Sequence, residues 1–351
     1  MEFKQLIISL SSLMSVTGYE TRDRERLVEL IGDRFDENYA DAVGNQVFIK
    51  RCGKANAPRI LLDAHMDEIG MYVTDILEGG FLRVVNVGGL DTRILQAGKV
   101  VIYGKDTTFV GVVASTPPHL QKPGENKKLP EVTDLLIDTG YTKEELEGMI
   151  RIGTPIGFEP KYTELLGGNM AGKGFDDKAC AACAVEGVSR AESLAGDVYL
   201  VLSAHEETDR MGGASAAAYA IDPDYAMVID VNLGKTPDTA KHETVAMGGG
   251  ASLTYSAITN KKLTRMTAAL ADEAQVKYQY SVSPSHTGTN TPNVALALAG
   301  IPVVDVGLPL ASMHTYNEVI NLDDCNVLCG AVREFICDSE IAKRFGKEDI
   351  L

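Results

Sequence analysis

Five short segments of the chain contain side chains that are suited to metal-dependent hydrolysis. Each segment alone has a structural explanation, such as a buried histidine, a helix N-cap, a solvated acidic loop or a strand-end turn. Together they supply imidazole nitrogens and carboxylate oxygens, which are the donors that Zn²⁺, Co²⁺ and Mn²⁺ accept. The segments are His65-Met66-Asp67-Glu68, Asp176-Asp177, Glu206-Glu207, Asp230 and His314.

A centre with two metal ions needs a bridging carboxylate, similar ligand sets on both sides and a further carboxylate that activates water. Five residues fill the ligand places in this hypothesis. Glu206 is then left as the catalytic base, and Asp67 is expected to orient one histidine ligand through a hydrogen bond. The five predicted ligands are His65, Asp176, Glu207, Asp230 and His314.

Apolar runs that end close to these segments predict the strands that position them. The runs do not alternate between apolar and polar residues, which is typical of parallel strands buried on both faces. They cover residues 59–64, 198–203, 226–231 and 302–307. Helical patterns over 178–194 and 262–274 lie between them. The alternation predicts an α/β fold with a mixed, largely parallel sheet and helices on both faces, and ligand sites at the carboxyl ends of its strands.

The middle of the chain has a different pattern. Short β-rich runs and glycine-rich turns replace the long helices, and Thr142 with Glu145 forms the sequence signature of a capping box for one short helix. We therefore expect a small β-barrel-like insertion at 71–167, with the catalytic domain formed by 1–70 and 168–351. The β-rich runs are 81–87, 99–103 and 109–114, followed by a Pro- and Lys-containing loop at 117–130.

Composition narrows the possible partners and the compartment. The 33 Lys and Arg against 49 Asp and Glu give a net charge of −16, which disfavours nucleic acid or an anionic membrane as a partner. No apolar run is long enough to span a bilayer, and residues 3–14 predict an amphipathic helix rather than a signal peptide. The six cysteines suggest reduced thiols, so we expect a cytoplasmic protein.

The ordered set of motifs resembles the tetrahedral (TET) and glutamyl aminopeptidases, a family that includes deblocking aminopeptidases and members once labelled cellulases or endoglucanases. The resemblance covers nearly the whole chain. Its matching segments are Thr17-Gly18-Tyr19-Glu20, residues 63–70, Phe175-Asp176-Asp177-Lys178, Glu206-Glu207, Asp230, and Met313-His314 with Glu318.

The resemblance implies how the ligands are shared. His65 and Asp230 would bind one ion, Glu207 and His314 the other, and an aspartate of the 176/177 pair would bridge them. Related metallopeptidases use the first aspartate of such a pair, so the expectation is Asp176, with Asp177 as the alternative. The resemblance also implies that the insertion serves in dimerisation and that dimers assemble into a hollow homo-oligomer of twelve subunits, which admits only peptides.

Departures from the family pattern lie in two loops and before the last histidine, where Ala311-Ser312 replaces an Arg-Tyr pair. Residues 208–213 replace a Val-Gly-Leu-Arg-Gly-Ala type stretch, and Gly288-Thr289-Asn290-Thr291 replaces Gly-Thr-Asp-Ala. Loop residues usually determine specificity, so we expect His286 and Asn290 to contact substrate. Substrate preference is therefore expected to differ from that of other family members.

The resulting prediction is an aminopeptidase with two ions per subunit, with Zn²⁺, Co²⁺ and Mn²⁺ as the candidates, in which a water held between the ions would attack the first peptide carbonyl. An amide deacylase acting on other substrates is the main alternative. A glycosidase would need two carboxylates and no metal. A metal-stabilised scaffold without catalytic activity is a third possibility, for which the altered loops are the only support.

Overall fold

The computed structural model describes residues 1–120, 129–208, 212–237, 239–284 and 287–347. In these residues, helices and strands form a large sheet unit and a smaller barrel unit, each with its own apolar core. The helices are α1 Phe3–Ser11, α2 Arg24–Ile31, α3 Thr92–Leu95, α4 Lys143–Met149, α5 Phe175–Ser189, α6 Gly212–Ile221, α7 Lys261–Glu273, α8 Thr291–Ala295, α9 Leu322–Cys337 and α10 Ser339–Phe345. Short 3-10 helices span Gly32–Arg34, Pro118–Leu120, Val132–Asp134 and Leu166–Gly168.

Seventeen strands of the described chain divide between a large mixed sheet and a closed barrel. The strands are β1 Glu37–Ala40, β2 Gln46–Lys50, β3 Arg59–His65, β4 Gly70–Ile76, β5 Phe81–Val87, β6 Lys99–Tyr103, β7 Thr108–Val113, β8 Leu136–Asp138, β9 Pro155–Phe158, β10 Thr163–Glu164, β11 Asn169–Gly172, β12 Asp197–Ser203, β13 Tyr225–Leu233, β14 Ala251–Ser256, β15 Tyr278–Ser283, β16 Val303–Ala311 and β17 Glu318–Asn321.

The large sheet has four parallel strands at its centre, in the order β12-β3-β13-β16. Antiparallel strands extend it on both sides, and β14 and β15 branch from β16. The central strands are buried almost throughout, which explains why their sequences are continuous apolar runs. The predicted mixed α/β fold class is confirmed.

Helices cover both faces of this sheet. On one face α1, α5, α7 and α9 pack onto the larger apolar core, and α5 is buried along nearly its whole length because alanine and cysteine allow close approach. On the other face α6 and α8 pack onto a smaller core. The Cys180 and Cys183 side chains lie in the larger core, and all six cysteines are free. Cys180 and Cys183 therefore pack as small buried apolar side chains.

Strands β4 to β9 close into a six-stranded antiparallel barrel in the order β4-β5-β8-β7-β6-β9. This barrel is the β-barrel-like insertion that the sequence predicts. Its short helix α4 has the expected capping box, with the Thr142 hydroxyl accepting from the Glu145 amide and the Glu145 carboxylate accepting from the Thr142 amide. Strand β10 pairs with β11, so residues 163–164 belong to the large sheet. Within the described residues, no helix is long and apolar enough to cross a membrane.

Candidate metal centre

The predicted ligands meet at the carboxyl ends of the central parallel strands. His65 is the last residue of β3 and pairs in register with Ser203 at the end of β12. Glu206 and Glu207 follow β12, while Asp230 lies near the end of β13. Because parallel strands end at one edge of a sheet, side chains from distant parts of the chain converge there. The other two ligands come from the start of α5, at Asp176, and from the turn after β16, at His314.

One group of donors surrounds the imidazole of His65. Its Nε2 lies 3.0 Å from Asp176 Oδ1 and 3.8 Å from Asp230 Oδ1. All three side chains are buried, with His65 only 2% exposed. These atoms form one side of the centre.

A second group surrounds the imidazole of His314. Its Nε2 lies 3.4 Å from Asp176 Oδ2 and 3.3 Å from Glu207 Oε1. The His314 side chain is one-third exposed, so this side of the centre is reached from solvent. The two oxygens of Asp176 thus point to different histidines, which is the arrangement a bridging carboxylate requires.

The spacing of these donors suits bound divalent ions. Zinc binds histidine nitrogen and carboxylate oxygen at about 2.0–2.2 Å in tetrahedral geometry, which separates neighbouring donors by about 3.3 Å. The donor separations of 3.0 to 3.8 Å lie around that value. The donor set of nitrogen and oxygen atoms, with no thiolate, also fits Co²⁺ or Mn²⁺.

The charge of the site favours cations as well. Burial raises the pKa of Asp230 well above its ordinary value, and nearby carboxylates such as Asp177 raise it further. Burial lowers the pKa of His314, but the Asp176 and Glu207 carboxylates outweigh it and raise that pKa to about 11. A group of buried carboxylates that are ionised together needs compensating positive charge. When all four are ionised, Asp176, Glu206, Glu207 and Asp230 would carry four negative charges, which two divalent ions would neutralise.

Glu206 lies beside the donor groups without joining either. Its Oε2 is 3.9 Å from His65 Nε2, whereas Oε1 is buried and has no hydrogen-bond partner in the described chain. Burial, and then the neighbouring Glu207 and Asp176 carboxylates, raise the pKa of Glu206 to about 8 against the opposing effect of His65. An unpaired carboxylate at this position is suited to exchange a proton with a water in the centre.

The Asp67 carboxylate holds the Glu206-Glu207 segment in place. Its Oδ1 accepts from the Glu206 amide at 3.0 Å, and Oδ2 accepts from the Glu207 amide at 3.1 Å and from the Thr17 hydroxyl at 2.8 Å. The ring Nδ1 of His65 lies closer to the Asp67 carbonyl, at 2.9 Å, than to Oδ1 at 3.5 Å. Asp67 thus contacts both the histidine and the backbone of the glutamate pair, and the second contact was not predicted.

Asp177 is turned toward the backbone of β3. Its Oδ2 accepts from the His65 amide at 3.1 Å, and the peptide bond between Asp176 and Asp177 is cis. An oxygen of Asp177 also lies within 4.8 Å of donor atoms of His65 and Asp230. Asp176 differs from Asp177 in contacting both histidines.

The two residues expected to contact substrate have different outcomes. His286 lies outside the described residues. Asn290 is 1% exposed, and its Nδ2 donates to Asp63 Oδ2 at 3.0 Å and to Ser203 Oγ at 2.9 Å. The Nδ2 group thus ties together the ends of β3 and β12, while Oδ1 is buried without a hydrogen-bond partner in the described chain. A contact of Asn290 with substrate stays a prediction.

Two buried acids that support the site had no assigned role in the sequence prediction. Glu318 accepts from the Asp176 amide at 3.2 Å through Oε2 and from the His314 amide at 3.0 Å through Oε1, so it links two ligand segments. Glu68 accepts from Lys173 at 2.8 Å and lies 3.2 Å from Lys178 Nζ. Motif spacing gives no signal for these contacts because the partners of Glu68 lie more than 100 residues away.

Comparison with known proteins agrees with the family resemblance inferred from the sequence. The family model described as M42 glutamyl aminopeptidase matches residues 44–329. The lysyl aminopeptidase of Pyrococcus furiosus is 30% identical over 314 residues, which cover 88% of this chain and 89% of that protein.

Two solved structures share the fold over nearly their full length. The TET aminopeptidase of a marine-sediment Thaumarchaeota archaeon has a TM-score of 0.90 and 29% identity, covering 98% of each chain. The Pyrococcus horikoshii TET1 peptidase, which can assemble into a tetrahedron or a large octahedral shell, has a TM-score of 0.84 and 27% identity, covering 96% of this chain and 100% of that one.

Proposed function

Since the chain belongs to the M42 glutamyl aminopeptidase family, we propose that it is an aminopeptidase that depends on two divalent metal ions and removes N-terminal residues from peptides. The observation that carries this proposal is the placement of Asp176 between two histidines. Its Oδ1 lies 3.0 Å from His65 Nε2 and its Oδ2 lies 3.4 Å from His314 Nε2. One carboxylate between two imidazoles gives each ion a similar set of ligands.

In this proposal His65 and Asp230 hold one ion, Glu207 and His314 hold the other, and Asp176 bridges them. Asp177 is assigned to the backbone of β3, because its Oδ2 accepts from the His65 amide. The donors are nitrogen and oxygen atoms, so Zn²⁺, Co²⁺ and Mn²⁺ are the candidate ions. Such ions, when bound, polarise a carbonyl group and make water more acidic.

Glu206 acts as the general base and then as the general acid. It accepts a proton from the water that attacks the first peptide carbonyl, and it donates that proton to the leaving amine. Its unpaired Oε1 leaves one oxygen available for this transfer. Asp67 keeps Glu206 in place through the backbone amides of 206 and 207, so it acts as a positioning residue.

We propose further that the sequence-predicted division holds, with residues 1–70 and 168–351 in the catalytic domain and an inserted dimerisation domain at 71–167, except that residues 163–164 join the large sheet of the catalytic domain. The closed barrel of β4 to β9 supplies a self-contained unit for this role. Dimers would assemble into a dodecamer in the cytoplasm, with peptides as substrates and with neither nucleic acid nor membrane as a partner. The relative from P. horikoshii assembles into closed shells.

The test is a peptide-degradation assay. The purified protein is incubated with a mixed-sequence peptide pool, with a chelator, and with the chelator followed by Zn²⁺, Co²⁺ or Mn²⁺, and peptide masses are followed over time. Stepwise loss of N-terminal residues that chelation stops and metal restores is the expected result. Intact peptides in the metal-loaded sample would refute the proposal, and hydrolysis of acylated substrates alone would favour the deacylase alternative.

A further inference from the structure

A cavity of about 480 Å³ opens next to Asp230, on one side of the candidate metal centre. Hydroxyl, amide and carboxylate groups form much of its wall, and the lining residues in the described chain include no lysine or arginine. Glu243 lies at its rim, with a side chain that is two-thirds exposed. The residues used in this inference are Asp230, Asn232, Thr254, Asp305 and Gly307.

The buried end of the cavity contains the carboxylate of Asp305, which is 4% exposed. Its Oδ2 accepts from the Thr289 hydroxyl at 2.8 Å and from the Thr291 hydroxyl at 2.7 Å. The hydroxyl of Thr254 is buried and faces the same carboxylate. Hydroxyl groups carry no positive charge, so an ionised Asp305 has no counter-charge among these partners. Burial raises the pKa of Asp305, and a cation bound in the cavity would oppose that rise. The buried end of the cavity is therefore suited to a cation.

Strand register gives the depth of Asp305 below the centre. Asp230 pairs with Gly307 on β16, and Asp305 is two residues earlier on that strand, so its side chain leaves the sheet on the same face as position 307. At about 3.3 Å per residue, Asp305 lies about 7 Å from the level of Asp230, toward the amino ends of these parallel strands. A lysine side chain, with its four-carbon stem and terminal ammonium group, is about long enough to span this distance.

Asp230 and Asp305 line the same cavity, so this cavity connects the candidate centre with the buried carboxylate. Gly307 also lines it, and a Cβ atom there would lie 2.4 Å from Ser252 Oγ and 2.9 Å from Asn232 Cβ, because these two side chains already fill the space beside the glycine. The lining residues Asn232 and Thr254 are polar. A side chain bound in the cavity can therefore approach Asp305.

We propose that this cavity receives the side chain of the N-terminal residue of the peptide and selects lysine or arginine, with Asp305 as the counter-charge. The inference rests on the proposed aminopeptidase function and adds the class of substrate. A buried ammonium or guanidinium group would pair with the carboxylate through a charge-assisted hydrogen bond. An acidic N-terminal residue would be repelled by both Asp305 and the rim Glu243.

The experiment compares kcat/KM for 4-nitroanilides of lysine, arginine, norleucine, leucine and glutamate with the metal-loaded protein. Norleucine matches the length of lysine without its charge. Loss of a charged hydrogen bond is worth about 10- to 100-fold, so lysine should exceed norleucine by at least about tenfold. In Asp305→Asn the ratio should fall close to one. In Asp224→Asn, a buried aspartate at the opposite end of β13, the ratio should remain as in the wild type.

The outcomes separate this inference from the proposed function. Cleavage of leucine, norleucine or glutamate at least as fast as lysine would overturn the inference and leave the aminopeptidase in place. A lysine preference that persists in folded Asp305→Asn would overturn the role of Asp305. If Asp305→Asn does not fold, the lysine-to-norleucine ratio of the wild type still decides the preference. Failure to cleave any of the five substrates would refute the proposed function together with the inference.

Discussion

Replacement of Glu206 by glutamine is expected to remove catalysis while the fold and the metal content are retained. Glutamine has the same shape but cannot accept and return a proton. The substitution breaks no side-chain hydrogen bond of Oε1, which has no partner in the described chain. Oε2 lies 3.9 Å from His65 Nε2, which is beyond hydrogen-bonding distance. The backbone amide of residue 206 still donates to Asp67 in the variant.

The expected magnitude follows from these contacts. General base catalysis contributes about 10²- to 10⁴-fold to the rate, which corresponds to about 3–5 kcal/mol of transition-state stabilisation. The free energy of unfolding should change by less than about 1 kcal/mol, because no intramolecular hydrogen bond is lost. The loss should therefore appear in kcat rather than in stability.

The assay measures kcat, KM, metal per chain and the unfolding midpoint for the wild type, Glu206→Gln and Glu206→Asp. The shorter aspartate keeps a carboxylate and should recover part of the rate. Glu186→Gln is the matched control, since Glu186 lies on α5 ten residues after Asp176 and pairs with Arg34 and Arg190. A Glu206→Gln variant with two ions per chain and undiminished kcat would exclude Glu206 as the base. Loss of an ion from that variant would show that Glu206 is a ligand instead.

The other predictions concern metal content, stability and assembly. Asp176→Asn should reduce the metal content of the folded protein by two ions per chain, whereas His314→Ala should remove one. Metal content is measured by elemental analysis, and equal losses in the two variants would contradict the proposal that Asp176 bridges the ions. Glu68→Gln should lower the free energy of unfolding by about 3–5 kcal/mol, because it leaves the ammonium group of Lys173 buried without a counter-charge. The exposed pair of Lys4 provides the control, and Lys4→Met should cost under about 1 kcal/mol in the same urea titration. Light scattering should give the mass of twelve chains, and a dimer would be inconsistent with the proposed assembly.

Much of the fold could be predicted because local sequence patterns reflect burial. The apolar run 59–64 became β3, and the run 198–203 became most of β12. The predicted capping box starts α4 at Lys143. Strand pairing in the barrel could not be predicted in this way, since the order β4-β5-β8-β7-β6-β9 depends on contacts between segments far apart in the chain.

In the candidate centre, too, some features follow from local sequence and others depend on contacts between distant segments. Residue types and strand ends predicted His65, Asp176, Glu207, Asp230 and His314 as candidate ligands, and the structure brings these side chains together. The sequence did not reveal that Asp67 binds the amides of residues 206 and 207. Such contacts depend on backbone groups, which every residue has.

Asn290 illustrates what position along the chain leaves open. It lies in a loop region that departs from the family pattern, which favoured a role in specificity. The structure adds that its side chain reaches Asp63 and Ser203, more than 80 residues away in sequence. Loop position alone did not predict these contacts.

By itself, the sequence indicated the family, the mixed sheet and the candidate donor residues at its strand ends, because donor types and hydrophobic runs are local properties. The tertiary structure alone decided which oxygen of Asp176 faces which histidine, where the barrel closes, and that a polar cavity places Asp305 below Asp230. These features arise from strand register and from packing between distant segments. The contacts that create them form over distances of a few ångströms between residues far apart in the sequence, and no local pattern encodes those distances.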